Sequence, residues 1–369
     1  FRGVLVWFLT GCSKKYGGSG SPSELHPLTL TSNYWYGGVE SKPKLSAPSS
    51  FSFSREKKLE PHQGCVVSGS PTAVVSFAKN YCRAYTDLTW VNSKLSKIGW
   101  RPHKKDFLIN LQLQDPIQEG IFIHEEAFLT LLPTNYSRLP LDDKVCRETL
   151  KSFIYSLEHP GLHSIDHIGI LTSQQVLVSA EKVAPYGSLK DIIYRKKGPK
   201  EAYDQKYPED SGGIALDLLT TARYGRQILL TLEYLHSMRL YFGHLHTGNI
   251  LVCPEGQLKL TGLCNAFMSV PIKNAKLMNH VCPNKNSRHA SYRANAKRLE
   301  LTDIVSFGRV LYEMAVGTEL PLAQPDVTDY VTIPKSITRI LKKIFPSTSK
   351  YEPTSTALGR TEEPDILEP

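Results

Sequence analysis

The fold prediction starts from the segment between Leu232 and Val252, which has the sequence LEYLHSMRLYFGHLHTGNILV. It continues a helix predicted from Ala215 to Ser237, whose apolar stripe recurs at spacings of three and four residues: Leu218, Ala222, Gly225, Leu229 and Leu232. A short turn follows, and the apolar run from Ile250 to Val252 predicts a buried strand. The stretch therefore predicts a helix, a turn and a strand in direct succession.

The composition is that of an ordinary globular chain with a mild basic excess. The 369 residues are 41% hydrophobic and 21% charged, with a formal net charge of +9. This length suffices for one large two-lobed domain or two ordinary ones. The basic excess favours acidic partners, such as anionic lipid or acidic protein surfaces, but does not single out nucleic acid. A solvated basic surface is the simpler explanation.

Cysteine usage and hydropathy indicate a cytoplasmic protein. The chain has seven cysteines, with no C-x-x-C pair and no Cys/His spacing typical of a metal site. An odd number of unclustered cysteines favours free thiols in a reducing compartment. No apolar run reaches the roughly 18 residues that a membrane span requires, so any association with the plasma membrane is expected to occur through a partner.

Composition and periodicity divide the chain into four parts. Residues 1–70 are rich in Ser, Gly and Pro and predict a disordered tail, and residues 346–369 predict a loose C-terminal tail. Residues 71–182 predict an N-terminal helix (72–98) and a small lobe, whose further predicted elements are strands at 107–114, 121–123 and 127–132, a helix at 144–157 and a strand at 175–178.

Residues 183–345 predict a larger helical lobe. Ser188 is a candidate N-cap for a short helix at 189–194. Beyond the opening stretch, Leu251, Val252, Leu258 and Leu260 predict a short hairpin turned by Pro254-Glu255-Gly256. Residues 265–300 are expected to be irregular, and residues 303–316 predict a helix.

Four short segments, in this order and spacing, resemble the protein kinase fold over residues 107–345. They are His159-Pro160-Gly161, Pro185 to Leu189, the opening stretch with Glu233 to His236 and Asn249 to Leu251, and Asp303 to Gly308 with Leu311 to Met314. The resemblance implies an α+β, two-lobed protein kinase-like fold, with a small β-rich N-lobe and a larger helical C-lobe.

Kinase chemistry requires a cover for the phosphates, a Lys–Glu pair, a catalytic Asp, an Asn and a metal-binding Asp. The turn that resembles the cover, residues 112–120, has one Gly, a Pro and two carboxylates. The strand Ala127 to Leu131 has no Lys, and kinase spacing places Leu150 where the partner Glu belongs. Glu148, two residues away, is expected to face elsewhere on the helix.

Asn249 sets the register of the catalytic loop, and three of the positions around it are degenerate. By this resemblance His244 stands at the base position, His246 at the position of the Lys that steadies the γ-phosphate, and Gly262 at the metal-binding Asp. Magnesium normally requires one or two carboxylates with phosphate oxygens, so Asn249 is the only retained residue of this loop. Two histidines without a third ligand do not predict a metal site. The sequence therefore predicts no catalytic residue, no metal and no cofactor, with weak ATP binding left undecided.

The loop Gly243-His244-Leu245-His246 followed by Asn249 resembles a group of pseudokinases that includes the PX-domain kinase-like protein and the insect slowpoke-binding protein. The resemblance implies a catalytically inactive scaffold or adaptor. Its expected partners are the cytoplasmic region of a calcium-activated potassium channel of the slowpoke type and 14-3-3 proteins. Two alternatives stay open: an atypical, weakly active Ser/Thr kinase that uses His244 as base, and a lipid-associated trafficking adaptor.

Overall fold

The computed structural model describes residues 64–90, 104–114, 122–196, 206–208, 212–269, 292–326 and 328–345. The predicted tails at 1–63 and 346–369 lie outside the described residues. So does most of the turn at 112–120 that resembles a phosphate cover.

The small lobe is built on a five-stranded antiparallel sheet in the order β1-β2-β3-β5-β4. A helix precedes this sheet, and a second helix lies between its third and fourth strands. The elements are α1 (Pro71–Ala84), β1 (Leu88–Trp90), β2 (Lys105–Gln114), β3 (Phe122–Pro133), α2 (Lys144–Tyr155), β4 (His167–Leu171) and β5 (Val176–Lys182).

The predicted helix at 72–98 is wrong for residues 85–90, and residues 91–98 lie outside the described residues. Helix α1 ends at Ala84 because Tyr85 has an extended backbone, with φ −120° and ψ 128°. Leu88 then enters β1, where it lies opposite Leu111 of β2. The spacing of apolar residues gave a wrong prediction here. Tyr85 and Leu88 are three residues apart, and this spacing suits either a helix or a bend followed by a strand.

The two strands predicted at 121–123 and 127–132 form one continuous strand, β3. Its residues pair with β2 along the whole length of the hairpin, from Lys105↔Leu131 to Gln114↔Phe122. The polar segment His124-Glu125-Glu126 does not break the strand, because it lies where the sheet is partly exposed. Strand β4 was not predicted. Strand β5 begins at Val176, because Gln175 has φ +48° and belongs to the preceding turn.

Residues 64–70 are structured, although the sequence grouped them with the tail. Val66 and Val67 are buried beneath the sheet. The amide of Val66 donates to the carbonyl of Gln174 at 3.0 Å. Ser70 caps α1 by accepting from the amide of Ala73. This segment and α1 cover one face of the sheet together.

The large lobe is mainly helical, with one short hairpin. Its elements are α3 (Leu189–Ile193), α4 (Leu218–Ser237), β6 (Ile250–Val252), β7 (Leu258–Leu260), α5 (Cys264–Met268), α6 (Tyr292–Val316), α7 (Asp329–Thr332) and α8 (Lys335–Ile344). The predicted hairpin is confirmed. Ser188 caps α3 as predicted, in a capping box with Asp191.

Two predictions in the large lobe need correction. Helix α4 begins at Leu218 rather than Ala215, with Asp217 as its N-cap, and Leu218 is 48% exposed rather than part of the buried stripe. Residues 265–300 are not wholly irregular, because they contain most of α5 and the first turns of α6. Polar side chains at 293–300 obscured the helical period there.

The core of the large lobe is a single apolar cluster that surrounds α4, the β6–β7 hairpin and α6. Helix α8, which the sequence did not predict, packs against α6, where Phe345 and Ile344 approach Gly308 closely. Among the described residues, no helix is both long and apolar enough to span a bilayer. The described structure confirms the predicted two-lobed α+β fold.

Candidate functional site

The turn at residues 242–249 is fastened to α6 by Asp303, which is fully buried. The Asp303 carboxylate accepts the amide of Phe242 at 2.9 Å and the amide of Gly243 at 2.6 Å. It also contacts Nε2 of His236 at 2.7 Å. Gly243 has φ +66°, a conformation that favours glycine. The turn is therefore positioned by the core of the large lobe.

Within this turn, His244 and His246 lie side by side, with ring centroids 5.5 Å apart in an edge-on arrangement. Nδ1 of His246 accepts the amide of Gly248 at 3.1 Å, which caps a short 3₁₀ turn. Nδ2 of Asn249 donates to the carbonyl of His244 at 3.0 Å, and both residues are buried. The Asn249 side chain therefore helps to hold the loop conformation. No group of three or more His, Cys, Asp or Glu in the described ranges could hold a metal ion.

Gly262 follows β7 and lies beside Asn249. A β-carbon at Gly262 would stand 2.9 Å from Nδ2 of Asn265 and 3.9 Å from Nδ2 of Asn249. The Asn265 amide is buried, and neither of its polar atoms has a hydrogen-bond partner within the described structure. The space beside Gly262 is thus occupied by a neutral amide. The sequence did not predict Asn265, and no local pattern distinguishes it.

A carboxylate from the small lobe reaches the same place. Glu181, near the end of β5, is 7% exposed. Its Oε2 accepts the hydroxyl of Thr261 and lies 3.4 Å from the amide nitrogen of Gly262. Glu181 was not predicted as a site residue. The one sequence feature that could have indicated it is its place directly after the apolar run VLVSA. A charged residue in such a buried strand usually needs hydrogen-bond partners.

The face of the sheet that carries Glu181 has no lysine on β3. Phe128 lies opposite Glu181 in the β3–β5 ladder, and Thr130 lies opposite Ser179. Thr130 is buried and donates to Oδ1 of Asp106 at 2.7 Å. Lys104 pairs with the same oxygen at 3.4 Å. The strand predicted to lack a lysine therefore places an aromatic ring and a hydroxyl on this face.

Helix α2 presents an apolar side to the site. Leu150 is buried in a cluster with Leu132 and Cys264. Glu148 is exposed and pairs with Lys151 at 3.2 Å, as the helical spacing predicts. Burial raises the pKa of the Cys264 thiol, and the nearby charge of Glu181 raises it further. Helix α2 therefore places Leu150, rather than a carboxylate, on this buried side.

A second polar cluster lies on the large-lobe side of the turn. Glu313 of α6 is buried and accepts the hydroxyl of Thr247 at 2.8 Å. Its other oxygen is 3.8 Å from Nζ of Lys190, which also pairs with Glu319 at 3.1 Å. Burial raises the pKa of the Glu313 carboxyl, although the charge of Lys190 opposes this shift. These contacts join α3, the turn and α6, and the sequence predicted none of them.

Among the described residues, the positions that the kinase resemblance assigns to metal binding do not fit a magnesium-bound nucleotide. Magnesium is usually held by one or two carboxylates together with phosphate oxygens. Gly262 has no side chain, and the Asn249 amide is engaged with a carbonyl. The Glu181 carboxylate points at this place from the opposite lobe, where it would repel phosphate oxygens.

The comparison with protein families identifies the fold. The model for protein tyrosine and serine/threonine kinases matches residues 142–345, more than half of the chain. The chain belongs to the protein kinase family. The match runs from the start of α2 to the end of α8 and so includes the 242–249 turn, Gly262 and Asp303.

Several curated proteins of this family resemble the chain. The PX domain-containing protein kinase-like protein of Mus musculus is 31% identical over 230 residues, or 60% of this chain. The slowpoke-binding protein of Drosophila melanogaster is 28% identical over 245 residues, or 64% of this chain. The probable inactive serine/threonine-protein kinase slob2 of Dictyostelium discoideum is 26% identical over 262 residues, or 69% of this chain.

The chain spans only part of each relative. The aligned segments cover 34%, 42% and 41% of these three proteins, in the same order. The names of these relatives support a kinase-like family that contains probable inactive members. This is the family that the loop around His244 and His246 predicted.

Proposed function

We propose that this chain is a catalytically inactive, kinase-like binding protein that regulates a slowpoke-type calcium-activated potassium channel by binding its cytoplasmic region. In this proposal 14-3-3 proteins are further partners, and the protein acts in the cytoplasm, reaching the plasma membrane through the channel. No cofactor takes part.

The main observation in support of an inactive kinase is the contact between the Gly262 amide and the Glu181 carboxylate. Glycine stands where a kinase has its metal-binding carboxylate, and a carboxylate from β5 accepts the Gly262 amide instead. The base position holds His244, and a histidine can accept a proton in principle. Without a carboxylate at position 262 and a lysine on β3, however, a base alone has no positioned phosphoryl group to act on.

Parts of the kinase fold that serve the scaffold are retained. Asp303 still fastens the 242–249 turn, and a large apolar cluster surrounds α4 and α6. A chain that keeps this framework while positions 244, 246 and 262 carry none of the residues of kinase chemistry is suited to binding rather than to catalysis. This contrast supports the scaffold function.

The choice of partner rests on likeness to other proteins. The name of the Drosophila relative states that it binds slowpoke, and the resemblance of the 243–249 loop implies the same partner for this chain. The proposal that 14-3-3 proteins are partners rests on that resemblance alone. A regulator of this kind would act by binding two gating states of the channel with different affinities.

The test is co-precipitation of the full chain with the cytoplasmic region of a slowpoke-type channel. The matched variant is His244→Asn, which removes the only candidate base. We expect both proteins to bind equally, because the proposed function needs no catalysis. Absence of binding by the wild-type chain would refute the channel proposal and leave the fold unaffected.

Two further measurements address the other functions. A thermal shift with ATP and Mg²⁺, accompanied by kinase activity that is abolished by His244→Asn, would indicate an atypical kinase. Binding to liposomes that contain anionic lipid, at low salt and without the channel, would indicate a lipid-associated adaptor. We expect neither result.

A further inference from the structure

We propose that Glu181 excludes nucleoside phosphates from the cleft between the two lobes, by placing a buried negative charge where the metal and phosphates of a kinase would lie. This inference goes beyond the proposed binding function, since a scaffold need not exclude nucleotide. It assigns the exclusion to one side chain of β5 that the sequence analysis did not single out.

The position of Glu181 is set by the sheet. Because side chains alternate along a strand, Glu181 and Ser179 of β5 point to the same face as their β3 partners, Phe128 and Thr130. This face meets the segment that follows β7, since Glu181 contacts both Thr261 and Gly262. Glu181 therefore reaches across from the small lobe to the position that lacks its metal carboxylate.

The partners of Glu181 are neutral donors. Thr261 supplies a hydroxyl and Gly262 a backbone amide, as expected for an ionised carboxylate, which only accepts hydrogen bonds. Within the described ranges, no Lys, Arg or His forms an ion pair with it: the adjacent Lys182 pairs with Glu125 at 2.9 Å, and Lys104 pairs with Asp106. Lys104 lies close enough to influence the Cys264 thiol together with Glu181, but its ion pair is with Asp106, so Glu181 has no direct ion-pair partner among the described residues.

A phosphate brought to Gly262 would meet this charge in a partly dry site. Repulsion between two negative unit charges about 5 Å apart, at the effective dielectric constant of a protein, would weaken phosphate binding on the order of 100-fold. The carboxylate also occupies the Gly262 amide, a donor that a phosphate oxygen would otherwise use. Glu181 thus opposes phosphate both by charge and by competition for a hydrogen bond.

A purely structural role for Glu181 makes a different prediction. If the side chain served only to join the lobes, Glu181→Gln would weaken the contact with Thr261 without any gain in ligand binding. If the charge excludes nucleotide, the same change should permit binding, because the glutamine has nearly the same shape and no charge. The neutral isostere therefore separates the two roles.

The experiment compares the full wild-type chain with Glu181→Gln and with the control Glu125→Gln, which changes a partly exposed carboxylate on the neighbouring strand that pairs with Lys182. Isothermal titration and thermal shift are measured with ATP and ADP, each in EDTA and in Mg²⁺. Glu181→Met, which is also uncharged and of similar volume, provides a second variant if the glutamine chain does not fold.

We expect the wild-type chain and Glu125→Gln to show no binding at millimolar nucleotide, and an uncharged variant at position 181 to gain affinity by at least tenfold. Binding by the wild type with an affinity similar to that of the variants would overturn the proposal. So would the absence of binding by both folded variants. Neither result bears on channel binding, which co-precipitation of the wild-type chain tests separately.

Discussion

The side-chain amide of Asn265 lies 2.9 Å from the point at which a β-carbon on Gly262 would stand. These two residues, three apart in sequence, thus jointly fill the space at the position that the kinase resemblance assigns to a metal carboxylate. Gly262 has φ +78°, in the left-handed region that most side chains disfavour. The packing at this position therefore suits glycine.

We predict that Gly262→Asp alone destabilises the chain by about 1–3 kcal/mol, because it adds strain and a clash with Asn265. Adding Asn265→Ala should recover part of this loss by removing the clashing amide. Urea denaturation of both single variants and the double variant gives the coupling energy. Gly212→Asp, at a site with no atom within 4 Å of its β-carbon, should have little effect. Additive effects of the two substitutions would contradict the prediction.

Asp303 should be among the most sensitive residues of the large lobe. Both of its carboxylate oxygens accept hydrogen bonds from backbone amides of the 242–249 turn. In Asp303→Asn the side-chain NH₂ group would face a backbone N–H group of the turn, so that two donors meet. We therefore expect a loss of about 3–5 kcal/mol in the free energy of unfolding. Chemical denaturation measures it. Glu300→Gln, one turn earlier on the same helix, is the control and should change stability by less than about 0.5 kcal/mol.

Tyr81 of α1 packs directly over Gly169 of β4. A β-carbon at Gly169 would meet the Tyr81 hydroxyl oxygen at 2.0 Å, and this hydroxyl is 2.8 Å from Nε2 of His167. We predict that Gly169→Ala lowers the stability by about 1–3 kcal/mol, because the buried ring has no room to move.

Tyr81→Phe removes the hydroxyl and should make Gly169→Ala less harmful, so the double variant is expected to be more stable than the sum of the two single effects predicts. Thermal unfolding of the four proteins measures this coupling. Gly212→Ala should leave the melting temperature unchanged. If Gly169→Ala were neutral, α1 would not pack on β4 as described.

Asp87 gives a pH dependence of known sign. Burial alone would raise its pKa, but the hydrogen bond and charge of His167, whose Nδ1 lies 3.4 Å away, bring the pKa below its ordinary value of 3.8. A carboxyl with a lowered folded pKa contributes stability above its unfolded pKa, and this contribution is lost as the pH falls through the folded value.

We therefore expect Asp87→Asn to lose stability relative to wild type above pH 3.8 and to approach the wild-type value in more acidic solution. Urea denaturation at intervals between pH 2.5 and 5.5 measures the difference. A stability difference that does not change over this pH range would show that Asp87 and His167 are not coupled in the folded chain.

The order of elements could be predicted from local patterns. The stripe on α4, the capping residue Ser188 and the β6–β7 hairpin all depend on residues close together in sequence. The register of the 242–249 turn followed from Asn249 through its resemblance to kinases. Element boundaries were less predictable, as β1 and the early start of α6 show, because spacings of three suit more than one local structure.

The contacts of the site could not be predicted in this way. Glu181 and Thr261 are 80 residues apart, and Asp303 lies 61 residues from Phe242. Nothing near Glu181 in the sequence indicates which donors it will meet, because a buried carboxylate obtains its partners from whichever elements pack against it. Its role follows only from the packing of β5 against the segment after β7.

Residue type and spacing were enough to predict the helix, the turn and the strand of the opening stretch, Leu232 to Val252. They also showed a glycine at position 262, beyond that stretch. What lies beside Gly262 depends on how the whole chain folds. Asn265 and Glu181 reach Gly262 because close packing brings distant side chains into a space that must be filled and hydrogen-bonded.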